Sequence, residues 1–290
     1  MAEPTWDEWH SVWPNAERSR FVRAASLDWQ VQDFPAPGPS APTILLIHGS
    51  GGATHSWAPL VPFLTADWRV IAPDLPGHGF TAWPADRSRL SLTGMAADLA
   101  TLLDTLAVVP DVVVGHSAGA AVLLRMALDG RIAPRAIVGI NAALAEWPAW
   151  YRDTLSPVIG AIATLPIVAR IAAWQATSLG AVDRLLASTG STIPVEQRAW
   201  YARFAQSAAH DRAVLTMMAN WDVNALWRDL PSLETPVTLI AGDRDRWVPP
   251  AVAERSASRL RHARVVIVPG TGHLTMEEAP AAVARIIDES

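Results

Sequence analysis

Gly115-His116-Ser117-Ala118-Gly119 stands directly behind the apolar run Asp111-Val112-Val113-Val114 and directly ahead of a helical pattern over 120–128. A chain that passes from strand to helix around one serine must bend sharply there and hold that serine in a strained backbone. Only small neighbours fit such a bend, and Gly115, Ala118 and Gly119 leave the room. The start of the following helix favours negative charge developing beside it. Taken alone the pentapeptide is also compatible with a glycine-rich turn and a helix-capping serine. In a strand-turn-helix setting it reads as a G-x-S-x-G elbow presenting Ser117 as a nucleophile.

The rest of the chain supplies the sheet such an elbow needs. Short apolar runs alternate with longer helical patterns, as in a mostly parallel sheet covered by helices. Strands are expected at 20–23, 27–32, 43–48, 69–73, 111–115, 135–140, 237–241 and 264–268. The first two flank Ala24-Ala25-Ser26 and read as an antiparallel hairpin. Thr43-Ile44-Leu45-Leu46-Ile47 and Val112-Val113-Val114 are apolar throughout, the mark of strands buried on both faces. The alternation fails from about Ala142 to Pro231, where helical spacing is broken by Pro148, Pro157, Pro166 and Pro194. The expected organisation is therefore an α/β core over 1–141 and 232–290, with a helical cap inserted over 142–231. A length of 290 residues is enough for one such large domain.

Composition closes off several functions. There is no cysteine, which excludes disulfides, thiolate catalysis and cysteine-ligated metals. A net charge of −5 gives no electrostatic case for nucleic acid or anionic membrane as a partner. Apolar stretches such as 158–173 are interrupted by Gly160, Pro166 and Arg170, short of a membrane span. The N-terminus lacks a basic start and apolar run, so the cytoplasm is the expected compartment. The chemistry so read calls for no cofactor and no metal.

A serine hydroxyl is a poor nucleophile until a base removes its proton, and the base needs a carboxylate to fix its tautomer. Gly270-Thr271-Gly272-His273 follows the last strand, and Gly242-Asp243-Arg244-Asp245 follows the strand before it. Both lie at C-terminal strand ends, where open α/β sheets bind ligands. His273 is the expected base and Asp245 the expected acid, because Val248-Pro249 follows it. Asp243 is the competing carboxylate. His48, His78 and His116 lie in turns and read as structural or as supports behind the reacting groups; His10, His210 and His262 carry no motif; His55 could line the pocket. Asp74, in the turn Pro73-Asp74-Leu75-Pro76-Gly77-His78-Gly79, precedes Ser117 in the chain, which counts against a catalytic role. For an oxyanion, backbone N–H donors are expected from Ala118 and from Ser50 of His48-Gly49-Ser50-Gly51-Gly52. Trp57, Asn141, Val248 and Leu274 are expected to line the substrate cleft.

Together these elements resemble the α/β-hydrolase superfamily from about Arg20 to the C-terminus. The resemblance implies an eight-stranded sheet, a helical cap and a serine hydrolase site. Position 117 is serine, which disfavours the members that use an aspartate nucleophile. Trp13-Pro14-Asn15-Ala16-Glu17-Arg18-Ser19-Arg20-Phe21-Val22 and Leu27-Asp28-Trp29-Gln30-Val31-Gln32 further resemble the magnesium-chelatase accessory proteins of bacteriochlorophyll biosynthesis. His55-Ser56-Trp57 and the 72–80 segment also match, but are common to many hydrolases. This likeness implies a tetrapyrrole-related role and a chelatase subunit as a possible partner.

The cap region holds Trp147, Trp150, Tyr151, Trp174, Trp200, Tyr201, Phe204, Met217, Met218, Trp221 and Trp227. Each singly is expected in the cap core; together they imply an apolar cleft suited to an acyl chain or planar ring. Arg152, Arg170, Arg203 and Arg212 could meet porphyrin propionates, although a solvated helix face explains each more simply. Trp6, Trp9 and Trp13 mark one face of a short helix, expected to pack on the protein's own body. The function expected is hydrolysis of a small apolar or tetrapyrrole-related ester through an acyl-enzyme. A non-catalytic tetrapyrrole-binding or chelatase-docking accessory is the alternative, and carbon–carbon bond hydrolysis or perhydrolysis a third.

Overall fold

A strand apolar at every position needs a hydrophobic layer on each face, and this chain builds two such layers. The computed structural model describes residues 5–145, 165, 168 and 180–290. Among them eight strands form one sheet: β1 (Ser19–Ala24), β2 (Leu27–Phe34), β3 (Thr43–Ile47), β4 (Arg69–Pro73), β5 (Val112–His116), β6 (Ala136–Ile140), β7 (Val237–Gly242) and β8 (Ala263–Val268). Their order is β1-β2-β4-β3-β5-β6-β7-β8. β2 pairs antiparallel with both β1 and β4, and every later pairing is parallel. The expected hairpin turns through Ala25 and Ser26, both at positive φ (49° and 63°), as a two-residue turn of this twist requires.

The helices that matter here are α1 (Leu92–Leu106), α2 (Ala118–Leu128), α3 (Ala181–Ser188), α4 (Val195–Phe204), α5 (Ala208–Ala219), α6 (Pro250–Ala257) and α7 (Pro280–Asp288). Leu45 and Ile47 of β3 join Val113, Ile137 and Leu239 in a layer with α1, α2 and α6. Ile44 and Leu46, one residue out of phase, join Val112, Val114 and Ile240 in the opposite layer, with α7 and the turn around Leu60. Alternation with a period of two thus sends neighbouring apolar residues to different cores.

Between β6 and β7 the described residues contain helices and no strand. Trp147, Trp150, Tyr151, Arg152, Arg170 and Trp174 lie outside the described residues. Phe204 and Met217 are buried, whereas Met218 is exposed. The N-terminal tryptophans pack on the protein's own body: Trp6 and Trp13 meet Phe80 edge-on at 5.2 and 5.0 Å, and Trp9 and Trp13 meet Phe204. Arg203 lies over Trp9 and Trp200, and Arg212 over Trp83, so both cations rest on aromatic faces.

Candidate active site

Ser117 joins β5 to α2 at φ 50°, ψ −116°, a conformation that costs a non-glycine residue energy. The surroundings hold it there. Its N–H donates to the Ile140 carbonyl at 2.9 Å, and its own carbonyl accepts from the N–H groups of Ala120 (3.2 Å) and Ala143 (3.1 Å). Close packing explains the small neighbours: a Cβ on Gly119 would lie 2.2 Å from the Ile47 carbonyl oxygen. Ala118 opens α2, so its N–H is among those a helix leaves without an internal acceptor.

Three loops at the C-terminal ends of β5, β7 and β8 bring hydroxyl, imidazole and carboxylate together. Ser117 Oγ is 3.1 Å from His273 Nε2, and His273 Nδ1 is 2.8 Å from Asp245 Oδ2. A carboxylate accepts only, so Nδ1 carries the imidazole proton and donates it to Asp245. Nε2 is then bare and accepts from the serine hydroxyl. Asp245 Oδ1 accepts the N–H groups of Trp247 (2.8 Å) and Val248 (2.9 Å), and Oδ2 accepts from Asn141 Nδ2 at 2.7 Å. Burial alone would raise this carboxyl. The bonds from His273, Val248 and Asn141 outweigh it and hold Asp245 below its ordinary value, hence charged. Asp243 has other work: its Oδ1 accepts the Gly270 N–H at 2.7 Å and pins the β7 loop to the β8 loop.

His116 and Asn141 both brace the His273–Asp245 pair. His116 Nε2–H donates to the His273 carbonyl at 2.9 Å, with the two rings 4.9 Å apart. Burial pushes the His116 ring down to about 3, so it stays neutral beside the His273 ring. Asn141, at φ 48°, turns its amide onto Asp245 and the Gly272 carbonyl.

The loop after β3 is fixed by histidine. His48 Nδ1–H donates to the Gly49 carbonyl at 2.7 Å, and Nε2 accepts the Leu75 N–H at 2.9 Å. Ser50 follows, with its Oγ buried and without a hydrogen-bond partner. Asp74 accepts the Thr54 and Phe80 N–H groups at 2.7 and 2.9 Å; burial pushes it up to about 7 against their pull. Asp74 stands among these turn contacts, apart from the Ser117–His273–Asp245 chain.

Of the four side chains expected to line the cleft, only Val248 keeps part of its surface exposed. Trp57 is fully buried in the core layer with Leu60, Leu64 and Val70, because its short 3-10 turn faces that layer. Leu274 joins the same layer, and Asn141 lies beneath Asp245. The aromatic at the site is instead Trp247. It is half exposed, and its ring lies 5.7 Å from that of His273. Its sequence signal was its place two residues after the acid.

A second polar chain joins α4 to residues 56 and 277. Tyr201 of α4 donates its Oη–H to Glu277 Oε1 at 2.5 Å and lies 3.0 Å from Ser56 Oγ. Glu277 Oε2 is buried with no partner. Burial, offset only by the Tyr201 bond, pushes Glu277 up to about 8. His55 packs edge-on against Tyr201 at 4.9 Å, buried rather than facing a cleft. Among the described residues no cluster of His, Asp or Glu is arranged to hold a metal ion, and no helix is long and apolar enough to cross a membrane.

A family model for the alpha/beta hydrolase fold matches residues 42–280. The chain belongs to that family. This α/β-hydrolase-fold chain is 39% identical to the magnesium-chelatase 30 kDa subunit of Rhodobacter capsulatus, over 95% of both chains. The resemblance read from residues 13–22 and 27–32 therefore extends over nearly the whole α/β-hydrolase chain. It is also 27% identical to the 2-hydroxy-6-oxo-2,4-heptadienoate hydrolase of Pseudomonas putida, over 95% of this chain and 96% of that one. The solved enol-lactonase of Burkholderia xenovorans superposes with a TM-score of 0.71 over 93% and 98% of the two chains; at 19% identity this is a likeness of fold.

Proposed function

We propose that this chain is a serine hydrolase that cleaves an apolar ester through an acyl-enzyme. One observation carries the reading: the hydroxyl, imidazole and carboxylate of residues 117, 273 and 245 stand in line at 3.1 and 2.8 Å. Ser117 Oγ attacks the ester carbonyl carbon while His273 Nε2 takes its proton. Asp245 stays ionised and stabilises the imidazolium. The N–H groups of Ala118 and Ser50 hold the oxyanion, each worth about 3 kcal/mol of barrier. His273 then protonates the leaving alcohol, deprotonates a water, and the acyl-enzyme is hydrolysed. Trp247 and Val248 offer apolar surface beside the base. A fluorophosphonate probe should label the wild type and spare Ser117→Ala. A folded wild type that stays unlabelled overturns the reading.

The 39% identity to a magnesium-chelatase subunit supports placing this activity beside magnesium-tetrapyrrole metabolism, with a tetrapyrrole-related ester as substrate and a chelatase subunit as partner. The same identity favours a second reading, in which the chain binds a tetrapyrrole and the serine is idle. Tryptophan fluorescence separates the two. Quenching by micromolar porphyrin together with an unlabelled Ser117 supports the second; absence of quenching removes it.

A further inference from the structure

The cap chain re-enters the core through residues 188–192, and this stretch runs between the loop that carries Asp245 and the loop that carries His273. On one side, Trp247 Nε1–H donates to Ser188 Oγ at 3.1 Å and the Arg246 N–H to the Thr189 carbonyl at 3.1 Å. On the other, the Leu274 N–H donates to Ser191 Oγ at 2.9 Å. The Glu278 carboxylate closes the arrangement, accepting the Thr192 N–H at 2.7 Å and the Gly272 N–H at 2.8 Å. Arg246 and Leu274, the residues that follow Asp245 and His273, are therefore each bonded to this stretch, and Glu278 joins Gly272 to Thr192.

The fit is tight enough to transmit displacement. A Cβ on Gly190 would lie 2.0 Å from the Arg244 carbonyl oxygen, and one on Gly272 would lie 2.3 Å from the Gly190 carbonyl carbon and the Ser191 nitrogen. Gly190 also sits at φ 84°, which other residues rarely adopt. Thr189 and Ser191 are buried, and Thr189 Oγ1 locks the strap by donating to Leu186 and accepting from the Ser191 N–H. None of these side chains reaches the reacting atoms.

We infer that the strap 188–192, and Ser191 above all, positions the base: it sets the height of the His273 loop against the Asp245 loop and so makes triad geometry depend on the cap. The inference deepens the hydrolase reading and rests on it for its kinetic consequence. Removing the Ser191 hydroxyl orphans the buried Leu274 N–H and frees the turn that carries the imidazole. Ser191→Ala in the full chain should lower the rate of fluorophosphonate labelling of Ser117 about tenfold, the effect of one lost buried hydrogen bond. The acid limb of the labelling–pH profile should move with it, and KM for a p-nitrophenyl ester should stay within about twofold, because the strap meets the catalytic loops and not the substrate. Ser191→Thr keeps the hydroxyl and should restore the rate.

Proton NMR supplies a readout that needs no turnover. The Nδ1–H of His273, assigned by its loss in His273→Gln, should broaden or shift in Ser191→Ala and recover in Ser191→Thr. An unchanged resonance and unchanged labelling in folded Ser191→Ala overturn the positioning role. An unlabelled wild type whose resonance still responds to Ser191→Ala sinks the hydrolase reading and leaves the strap standing.

Discussion

Two hydroxyl–carboxyl chains run through this molecule, and they differ in how many donors their carboxyls receive. Asp245 accepts from His273, Trp247, Val248 and Asn141, with both oxygens satisfied. Glu277 accepts from Tyr201 and leaves Oε2 without a partner. Both are buried. The first is held as a carboxylate in spite of burial; the second is pushed up to about 8 and is neutral at pH 7. Burial raises both acids; the donors on Asp245 and the His273 ring beside it overcome that rise, whereas the Tyr201 bond on Glu277, with the Glu278 carboxylate nearby, does not. A charged acid can stabilise an imidazolium, while a neutral one can only hold a hydroxyl.

The largest contrast should come from the same conservative change made in each. Asp245→Asn presents an amide where His273 needs an acceptor, and kcat for ester hydrolysis should fall by about 10⁴-fold. Glu277→Gln replaces a neutral acid by a neutral amide of the same shape, and kcat at pH 7 should stay within about twofold. Steady-state kinetics on the two purified variants reads both. A loss at position 277 approaching that at 245 would erase the distinction between them.

Tyr201→Phe probes the second chain alone. Without its hydroxyl, Glu277 loses the one side-chain donor it has among the described residues and Ser56 Oγ loses Tyr201, so folding should weaken by about 1–3 kcal/mol. Chemical denaturation measures this. Per-molecule kcat of the folded variant should change by less than about threefold, since Tyr201 does not touch the Ser117–His273–Asp245 chain. A kcat loss without a stability loss would reverse the assignment.

Sequence carried the sheet and the positions of Ser117 and His273 further than the contacts that hold them. β3 and β5 were legible because strands covered on both faces are apolar at every position, and their bounds moved by no more than a residue. Ser117 and His273, which the fold brings to 3.1 Å, each follow a strand on a glycine-bounded turn that the sequence shows. Asp243 and Asp245 share one turn and one chemistry, and only the direction each side chain takes separates them. Trp57 misled, since an aromatic after a glycine-rich loop reads equally as pocket wall or core. The supporting contacts were illegible for a plainer reason. Asn141 reaches Asp245 across 104 residues and Ser191 reaches the Leu274 N–H across 83; for His116, expected as structural or supporting, the partner it meets 157 residues away is what no pattern gives. No local pattern marks a contact that only the finished fold creates.

The change of stability with pH is the most specific test of why the two carboxyls differ. In the unfolded chain Glu277 titrates near its ordinary value of 4.5; in the folded chain burial raises it to about 8. The folded state therefore holds a proton that the unfolded state has lost between these values. Its contribution to stability is complete below pH 4.5 and declines as pH rises through 8, at about 1.4 kcal/mol per pH unit within that window. Glu277→Gln cannot titrate, so its stability should lack this decline. The difference between variant and wild type, measured by denaturation at pH 5, 6, 7 and 8, should grow steadily in favour of glutamine. Asp245, held low, contributes in the opposite sense, losing stability as pH falls. A flat difference across the series would mean that Glu277 is ionised in the folded state. The buried Oε2 would then need a donor, and the balance of burial against donors would no longer explain which acid carries charge.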